Sequence, residues 1–254
     1  MDKPKSATIV TGGGRGIGRA IAKRMARECG AILVGRTEED LRSAVAEIET
    51  GGSEATYVVG DVRDTAVAAQ AVAAAEKRGW EVRNLVCNAG IGKGGPTETF
   101  DPELWKTIMD VNVNGAFNFV RACLPGMLKR GRGNIVLMSS MAGLKGNSRI
   151  AAYNASKHAL VGFARSLAVE HGKRGIVAVP ICPGFVAGEM TDRTIHGMAE
   201  RRGLTEEEAR DRVARQNPQH RIMPPEEVAE AVAFVCSGLV PSLSGSPLVL
   251  GGGE

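Results

Sequence analysis

The chain is short of several things, and each shortage narrows what it can be. Its 254 residues hold two tryptophans, two tyrosines and six phenylalanines. Proteins that bind single-stranded nucleic acid stack bases on aromatics along a basic stripe. Here the aromatics are few and a formal net charge of +4 is spread along the sequence, so no nucleic acid is expected as a partner. No apolar run approaches the roughly 18 residues of a membrane span, and the apolar stretch after residues 1–6 is too short for a secretory signal core. A soluble, cytoplasmic protein that does not engage a membrane is the expectation. The five cysteines (Cys29, Cys87, Cys123, Cys182, Cys236) are odd in number and include no Cys-x-x-Cys pair, which argues for buried free thiols in a reducing compartment. The four histidines join no Cys or Asp at metal-ligand spacing, so no catalytic metal is expected. There is no Gly-x-Ser-x-Gly elbow for Ser–His hydrolase chemistry. Pro- or Ser-rich linkers, repeats and low-complexity tracts are missing too, and the whole of 1–254 reads as one domain.

What is present is alternation. Short β-rich runs occupy 7–11, 31–35, 55–59, 84–88, 134–138 and 176–182, and a seventh strand is expected at 247–250. Helix-length segments separate them, several with start signals: Thr37 with Asp40 resembles a capping box, Asp64 precedes an Ala-rich run, and Asp101 is followed by Pro102. Near-continuous apolar strands alternating with helices predict an α/β, doubly wound Rossmann-type fold. Its seven-stranded parallel sheet would be covered by helices on both faces. One segment, 184–218, breaks the rhythm. It contains Glu206 to Arg215, in which Glu206 and Arg210, Glu208 and Arg212, and Asp211 and Arg215 are spaced four apart, as suits a solvated helix. Because it follows the end of the sixth strand, where open parallel sheets bind ligands, it reads as a lid.

Three motifs carry chemistry. After the first strand comes Thr11-Gly12-Gly13-Gly14-Arg15-Gly16-Ile17-Gly18 and then a helix. Glycines there let the backbone approach a pyrophosphate, and the helix N-terminus offers free N–H groups. Gly12, Arg15, Gly16, Ile17 and Gly18 are therefore candidate cofactor-binding residues, in a variant of the usual dinucleotide spacing. After the second strand come Arg36 and Thr37, with no acid at the strand end. An acid there bonds a ribose 2′-hydroxyl, whereas an arginine accommodates a 2′-phosphate. Arg36 with Arg15 thus points to NADP(H), with NAD(H) as the alternative should Glu38 or Glu39 reach the ribose. Asp61 and Val62, after the third strand, are placed near the adenine. Tyr153 and Lys157 stand four apart at the head of the helix 152–171, so phenol and ammonium share one face. A nearby cation lowers a phenol's pKa.

Thr11 to Gly18, Asn88-Ala89-Gly90, Asn112, Ser140, Tyr153, Lys157 and Pro183-Gly184 together resemble the short-chain dehydrogenase/reductase family, in order along nearly the whole chain. The resemblance implies a catalytic set of Asn112, Ser140, Tyr153 and Lys157. Ser140, 13 residues before Tyr153, has the family's serine spacing, with Ser139 as the lesser candidate. It implies that Asn88, Ala89 and Gly90 line the cofactor, and that Pro183, Gly184 and Val186 adjoin its nicotinamide. Ser140 would donate to the substrate carbonyl and Tyr153 would deliver the proton. Lys157 would lower the phenol's pKa and hold the ribose, and Asn112 would hold a water. One departure is evident: 185–188 lacks the threonine that family members often place beside the nicotinamide amide, and only Thr191 follows. Backbone groups alone would then hold the amide.

The expected function is interconversion of a ketone and a secondary alcohol with NADP(H), the substrate being a small-molecule ketone or alcohol or an acyl thioester, carried by ACP or CoA. Within the lid, Phe185, Met190, Ile195, Met198 and Leu204 could line an acyl chain, and Arg193, Arg201 and Arg202 could meet a phosphorylated carrier, or all could serve lid packing and solvation. An NAD-dependent dehydrogenase of a small hydroxy acid or alcohol, and a dinucleotide-sensing regulator without turnover, are the rival readings. Oligomers in the family are usually tetramers, and a homotetramer built on 101–130, 152–171 and the last strand is the corresponding expectation.

Overall fold

The structure, a computed structural model, describes residues 5–253. Seven strands form one parallel sheet: β1 (Ser6–Thr11), β2 (Gly30–Gly35), β3 (Ala55–Val59), β4 (Glu81–Cys87), β5 (Gly133–Met138), β6 (Ile176–Pro183) and β7 (Leu248–Leu250). Their spatial order is β3-β2-β1-β4-β5-β6-β7. The helices between them are α1 (Gly16–Ala26), α2 (Glu38–Thr50), α3 (Thr65–Lys77), α4 (Pro102–Met109), α5 (Gly115–Arg130), α6 (Ala151–His171), α7 (Glu189–Arg202), α8 (Glu206–Ala214) and α9 (Pro225–Ser237).

Alternation of side chains along each strand builds two cores, one per face. Val10 and Leu33 join Ile21 and Met25 of α1 and Val228 and Val232 of α9 on one face. Their neighbours Ile9 and Ile32 join Phe119 of α5 and Leu160 of α6 on the other. Burial on both faces is why the strands read as continuous apolar runs. The order reverses between β1, which leads to β2, and β4. That switch point opens a crevice at the carboxyl ends of these two strands, where ligands bind in doubly wound sheets.

Some boundaries differ from the expectation. β4 begins at Glu81 rather than residue 84, because Ser6 of β1 pairs with Glu81 across a register shift; polar Glu81 and Arg83 hide the start. The helix predicted over 101–130 is α4 and α5 joined by a π-helical turn at Asp110–Asn114. Asp64 and Asp101 do cap α3 and α4, accepting from the N–H groups of Ala66 and Glu103. Thr37 sits at the start of α2 but makes no side-chain cap, and Asp40 pairs with Arg15. The capping box lies elsewhere, at Thr205 and Glu208.

The segment expected as a lid folds as the helix pair α7 and α8. Ile195 and Ala199 of the first pack against Ala209 and Val213 of the second, with Phe185 and Met198 beside them. Of the residues expected to line an acyl chain, Phe185, Ile195 and Met198 thus pack within this helix pair, whereas Met190 is exposed and Leu204 half-buried. Only Asp211 and Arg215 form the expected pair along α8. Glu208 is taken by the cap, Glu206 meets His196 and Arg210 reaches Asp192 of α7.

Candidate active site

At the end of β1 the chain turns at Gly12, whose φ of +66° favours glycine, and enters α1 through Gly16 at φ +49°. A Cβ on Gly18 would lie 2.0 Å from the Gly12 carbonyl oxygen, so only glycine lets helix and turn pack this closely. A Cβ on Gly16 would meet nothing within 4 Å; the space beside it is open. Arg15, at the helix start, makes no side-chain cap, leaving the first-turn N–H groups to an anion. An open glycine cradle with uncapped N–H groups fits a dinucleotide pyrophosphate.

Thr11, which heads the glycine motif but has no expected role of its own, ties this turn to the neighbouring strand β4. Its Oγ1 accepts from the N–H groups of Asn88 and Ala89, each at 3.0 Å, and its carbonyl accepts from Asn88 Nδ2 at 3.0 Å. These contacts exist because β4 is the neighbour of β1, which a linear motif does not reveal. Gly90 follows, and a Cβ on it would lie 3.3 Å from Asn112 Oδ1 and 3.4 Å from Lys157 Nζ. The candidate cofactor loop and candidate catalytic residues thus meet at one glycine.

Around the 2′-position, Arg36 follows β2, is exposed and has no ion-pair partner among the described residues. Arg15 is engaged, its Nε at 3.1 Å from Asp40 and a terminal nitrogen at 2.5 Å from Glu189. Thr37 is exposed beside Arg36. Asp61 is bonded by Arg63 through Nε at 3.0 Å and a terminal nitrogen at 2.8 Å, which holds its carboxyl below the usual range. Val62 is buried against α5, its carbonyl accepting from Asn118. Ile17 packs on the core as α1 begins.

Ser140, Tyr153 and Lys157 converge beyond the end of β5. Ser140 and Ser139 are adjacent, so the extended strand end sends them opposite ways. Ser139 is buried and its Oγ donates to the Lys157 carbonyl at 2.9 Å, pinning α6 to the sheet. Ser140 is half-buried, its Oγ accepting from the Ala142 N–H at 3.1 Å and bonding the Tyr153 phenol. Lys157 is 5% exposed. Its Nζ lies 5.4 Å from the centre of the Tyr153 ring and donates to the Met138 carbonyl at 2.7 Å. Burial lowers its pKa to about 8.

The surroundings of Tyr153 and Asn112 bear on two of the expected roles. Burial raises the Tyr153 pKa, with only the Ser140 hydrogen bond pulling it down; the lysine proton is directed at Met138 rather than at the phenol, so desolvation wins. Asn112, 1% exposed in the π-helical turn, is committed to protein. Its Oδ1 accepts from the Ile91 N–H at 2.8 Å, and its Nδ2 donates to the Ile91 carbonyl and to Ser156 Oγ, both at 2.9 Å. Ser156 in turn donates to the Tyr153 carbonyl. Through its side chain Asn112 clamps the loop after β4 to α6. Ser156, inside the Tyr–Lys interval, had no signal of its own.

Pro183 ends β6, and the Gly184 N–H donates to Leu250 of β7. Val186 is buried and bridged to Met223. Thr191 is no substitute for the missing threonine: it is buried, and its Oγ1 donates to the Val186 carbonyl at 2.5 Å. Gly188, at φ +145°, occupies a conformation open essentially to glycine alone.

This constellation has counterparts. The family described as short chain dehydrogenase matches residues 6–199. The chain belongs to that family. This short-chain dehydrogenase is 37% identical over 248 residues to a Streptomyces virginiae protein named as a ketoacyl reductase of the monensin polyketide synthase, covering 96% of this chain and 95% of the relative. It is 36% identical to 2-(S)-hydroxypropyl-CoM dehydrogenase 3 of Xanthobacter autotrophicus, over 96% of this chain and 94% of that one. Among solved structures, an actinorhodin polyketide ketoreductase variant crystallised with NADPH superposes with a TM-score of 0.93 at 34% identity, covering 98% of this chain and 97% of the other. The short-chain dehydrogenase described here is accordingly an oxidoreductase of the Rossmann type that uses a nicotinamide dinucleotide. No helix among the described residues is long and apolar enough to cross a membrane.

Proposed function

We propose that the chain is an NADP(H)-preferring reductase that interconverts a ketone and a secondary alcohol, with 3-oxoacyl thioesters carried by ACP or CoA as its substrate class. The carrying observation is the meeting of the Tyr153 phenol with Ser140, with the Lys157 ammonium 5.4 Å from the centre of the phenol ring and against Gly90 of the loop after β4. A phenol whose pKa is raised by burial is neutral at pH 7 and suits a proton donor in reduction. When bound, the nicotinamide supplies the hydride. Ser140 donates a hydrogen bond to the carbonyl oxygen and orients it toward Tyr153, which delivers the proton. Lys157, largely charged at pH 7, balances negative charge developing on the phenol. Asn112 and Ser156 keep the loop after β4 in register with α6. The unpaired Arg36 supports a 2′-phosphate, and the similarity to ketoacyl reductases supports the thioester.

The acidic first turn of α2, with Glu38, Glu39 and Asp40, favours the alternative of NAD and a small hydroxy acid or alcohol. NADPH oxidation measured against 3-oxoacyl thioesters, simple ketones and keto acids separates these readings. Turnover confined to NADH and keto acids would overturn the proposal, and tight dinucleotide binding without turnover on any substrate would support a sensor instead. The five buried free cysteines support a reducing, cytoplasmic compartment. Half-exposed Phe117, its ring 6.2 Å from that of Phe163, supports a homotetramer joined through α5 and α6; a monomer by light scattering would remove that part.

A further inference from the structure

Arg15 links three parts of the chain that are remote in sequence. It belongs to the glycine turn, Asp40 to the first turn of α2, and Glu189 is the first residue of the lid helix α7. Immediately before Glu189 stands Gly188, with a backbone that only glycine adopts readily. The start of the lid therefore hangs from a glycine and is tied to the glycine turn by one ion pair. Glu189 has a second cation in its own helix, Arg193 at 3.6 Å, so losing Arg15 would not leave its charge unpaired.

We infer that Glu189 competes with the cofactor's 2′-phosphate for Arg15, so that the phosphorylated dinucleotide unties the lid from the glycine turn and the unphosphorylated one does not. This rests on the proposed use of NADP(H). A guanidinium bonds phosphate bidentately, and a carboxylate left beside that phosphate repels it. Swinging away about Gly188 relieves the repulsion and returns Glu189 to Arg193. NAD(H), lacking the phosphate, has nothing to offer Arg15 in exchange. Side chains of Arg15 and Glu189 are 57% and 58% exposed, so the competition is weak by nature, as exposed pairs are, and a change of about two- to fivefold in affinity is expected.

The test is calorimetric binding of NADPH, NADH and adenosine 2′,5′-bisphosphate to the intact chain and to Glu189→Gln, Arg15→Ala and the double variant. Glu189→Gln should tighten NADPH and the bisphosphate about two- to fivefold, leave NADH unchanged, and have no effect once Arg15 is alanine. Unchanged or weaker NADPH binding, equal tightening of NADH, or a gain that survives in the double variant would each overturn the inference. An unaltered chain that binds NADPH no better than NADH would instead overturn the cofactor reading, and the inference with it. Hydrogen exchange reads the lid directly: amides of residues 189–193 should exchange faster with the bisphosphate, which lacks the nicotinamide half, and already be fast in Glu189→Gln. Slower exchange with the bisphosphate would refute the untying.

Discussion

Replacing Lys157 by methionine should remove activity and yet stabilise the fold at neutral pH. The ammonium is 5% exposed and burial brings its pKa from 10.5 to about 8, a penalty on the charged form of about 3 kcal/mol. Methionine is of similar length and carries no charge. Against this gain, the Met138 carbonyl loses the donor 2.7 Å away, and an unsatisfied buried carbonyl costs about 1–3 kcal/mol. A net gain of about 1 kcal/mol for Lys157→Met is expected at pH 6.5, measured by urea unfolding. The sign of the pH dependence is the sharper test. Between about pH 8 and 10.5 the folded chain binds fewer protons at this site than the unfolded chain, so unaltered stability rises with pH there. By pH 9.5 the unaltered protein should have recovered about 2 kcal/mol relative to Lys157→Met, reversing their order. A difference that stays constant from pH 6.5 to 9.5, or that grows in favour of methionine, would refute the assignment of a desolvated charge to Lys157.

Tyr153→Phe keeps the ring and removes the proton, so turnover should fall at least about a hundredfold while dinucleotide affinity is retained; near-native turnover in steady-state assays would exclude Tyr153 as the donor. Arg36→Ala should weaken NADPH binding by about 1.5–3 kcal/mol, the worth of a hydrogen bond to a charged group, with NADH little affected; calorimetric titration of both cofactors decides it. His196, bonded by Glu206 at 3.1 Å and facing Glu200 at 3.3 Å, has its pKa raised by these carboxylates, the hydrogen bond with Glu206 first. Its contribution to holding α8 on α7 is present below the ordinary histidine value and lost as pH rises through the raised one. An NMR titration should place it above 6.5 and Glu206→Gln should bring it down, whereas an unshifted imidazole would show that the contact does not persist in solution.

Much of this short-chain dehydrogenase follows from local rules that the sequence obeys. Strands buried on both faces are largely apolar, so β1, β2, β5 and β6 stand out as runs. A helix brings residues four apart to one face, so Tyr153 and Lys157 are neighbours whatever the rest of the chain does. Glycines between a strand and a helix mark a turn that needs φ > 0, as Gly12 and Gly16 do. What local rules leave open is who meets whom across the fold. Thr11 holds Asn88 and Ala89 only because the sheet order sets β4 against β1. Ser139 and Ser140 are chemically equivalent in the sequence, and the packing of α6 on β5 decides which one pins Lys157 and which one meets Tyr153. Protonation is likewise a tertiary property: desolvation lowers the Lys157 pKa and raises that of Tyr153, and burial depends on the elements packed around a group. Arg15 is the clearest instance. Its sequence neighbours are glycines, while its partners Asp40 and Glu189 arrive from α2 and α7, because ion pairs depend on distance in space, which the folded chain alone supplies.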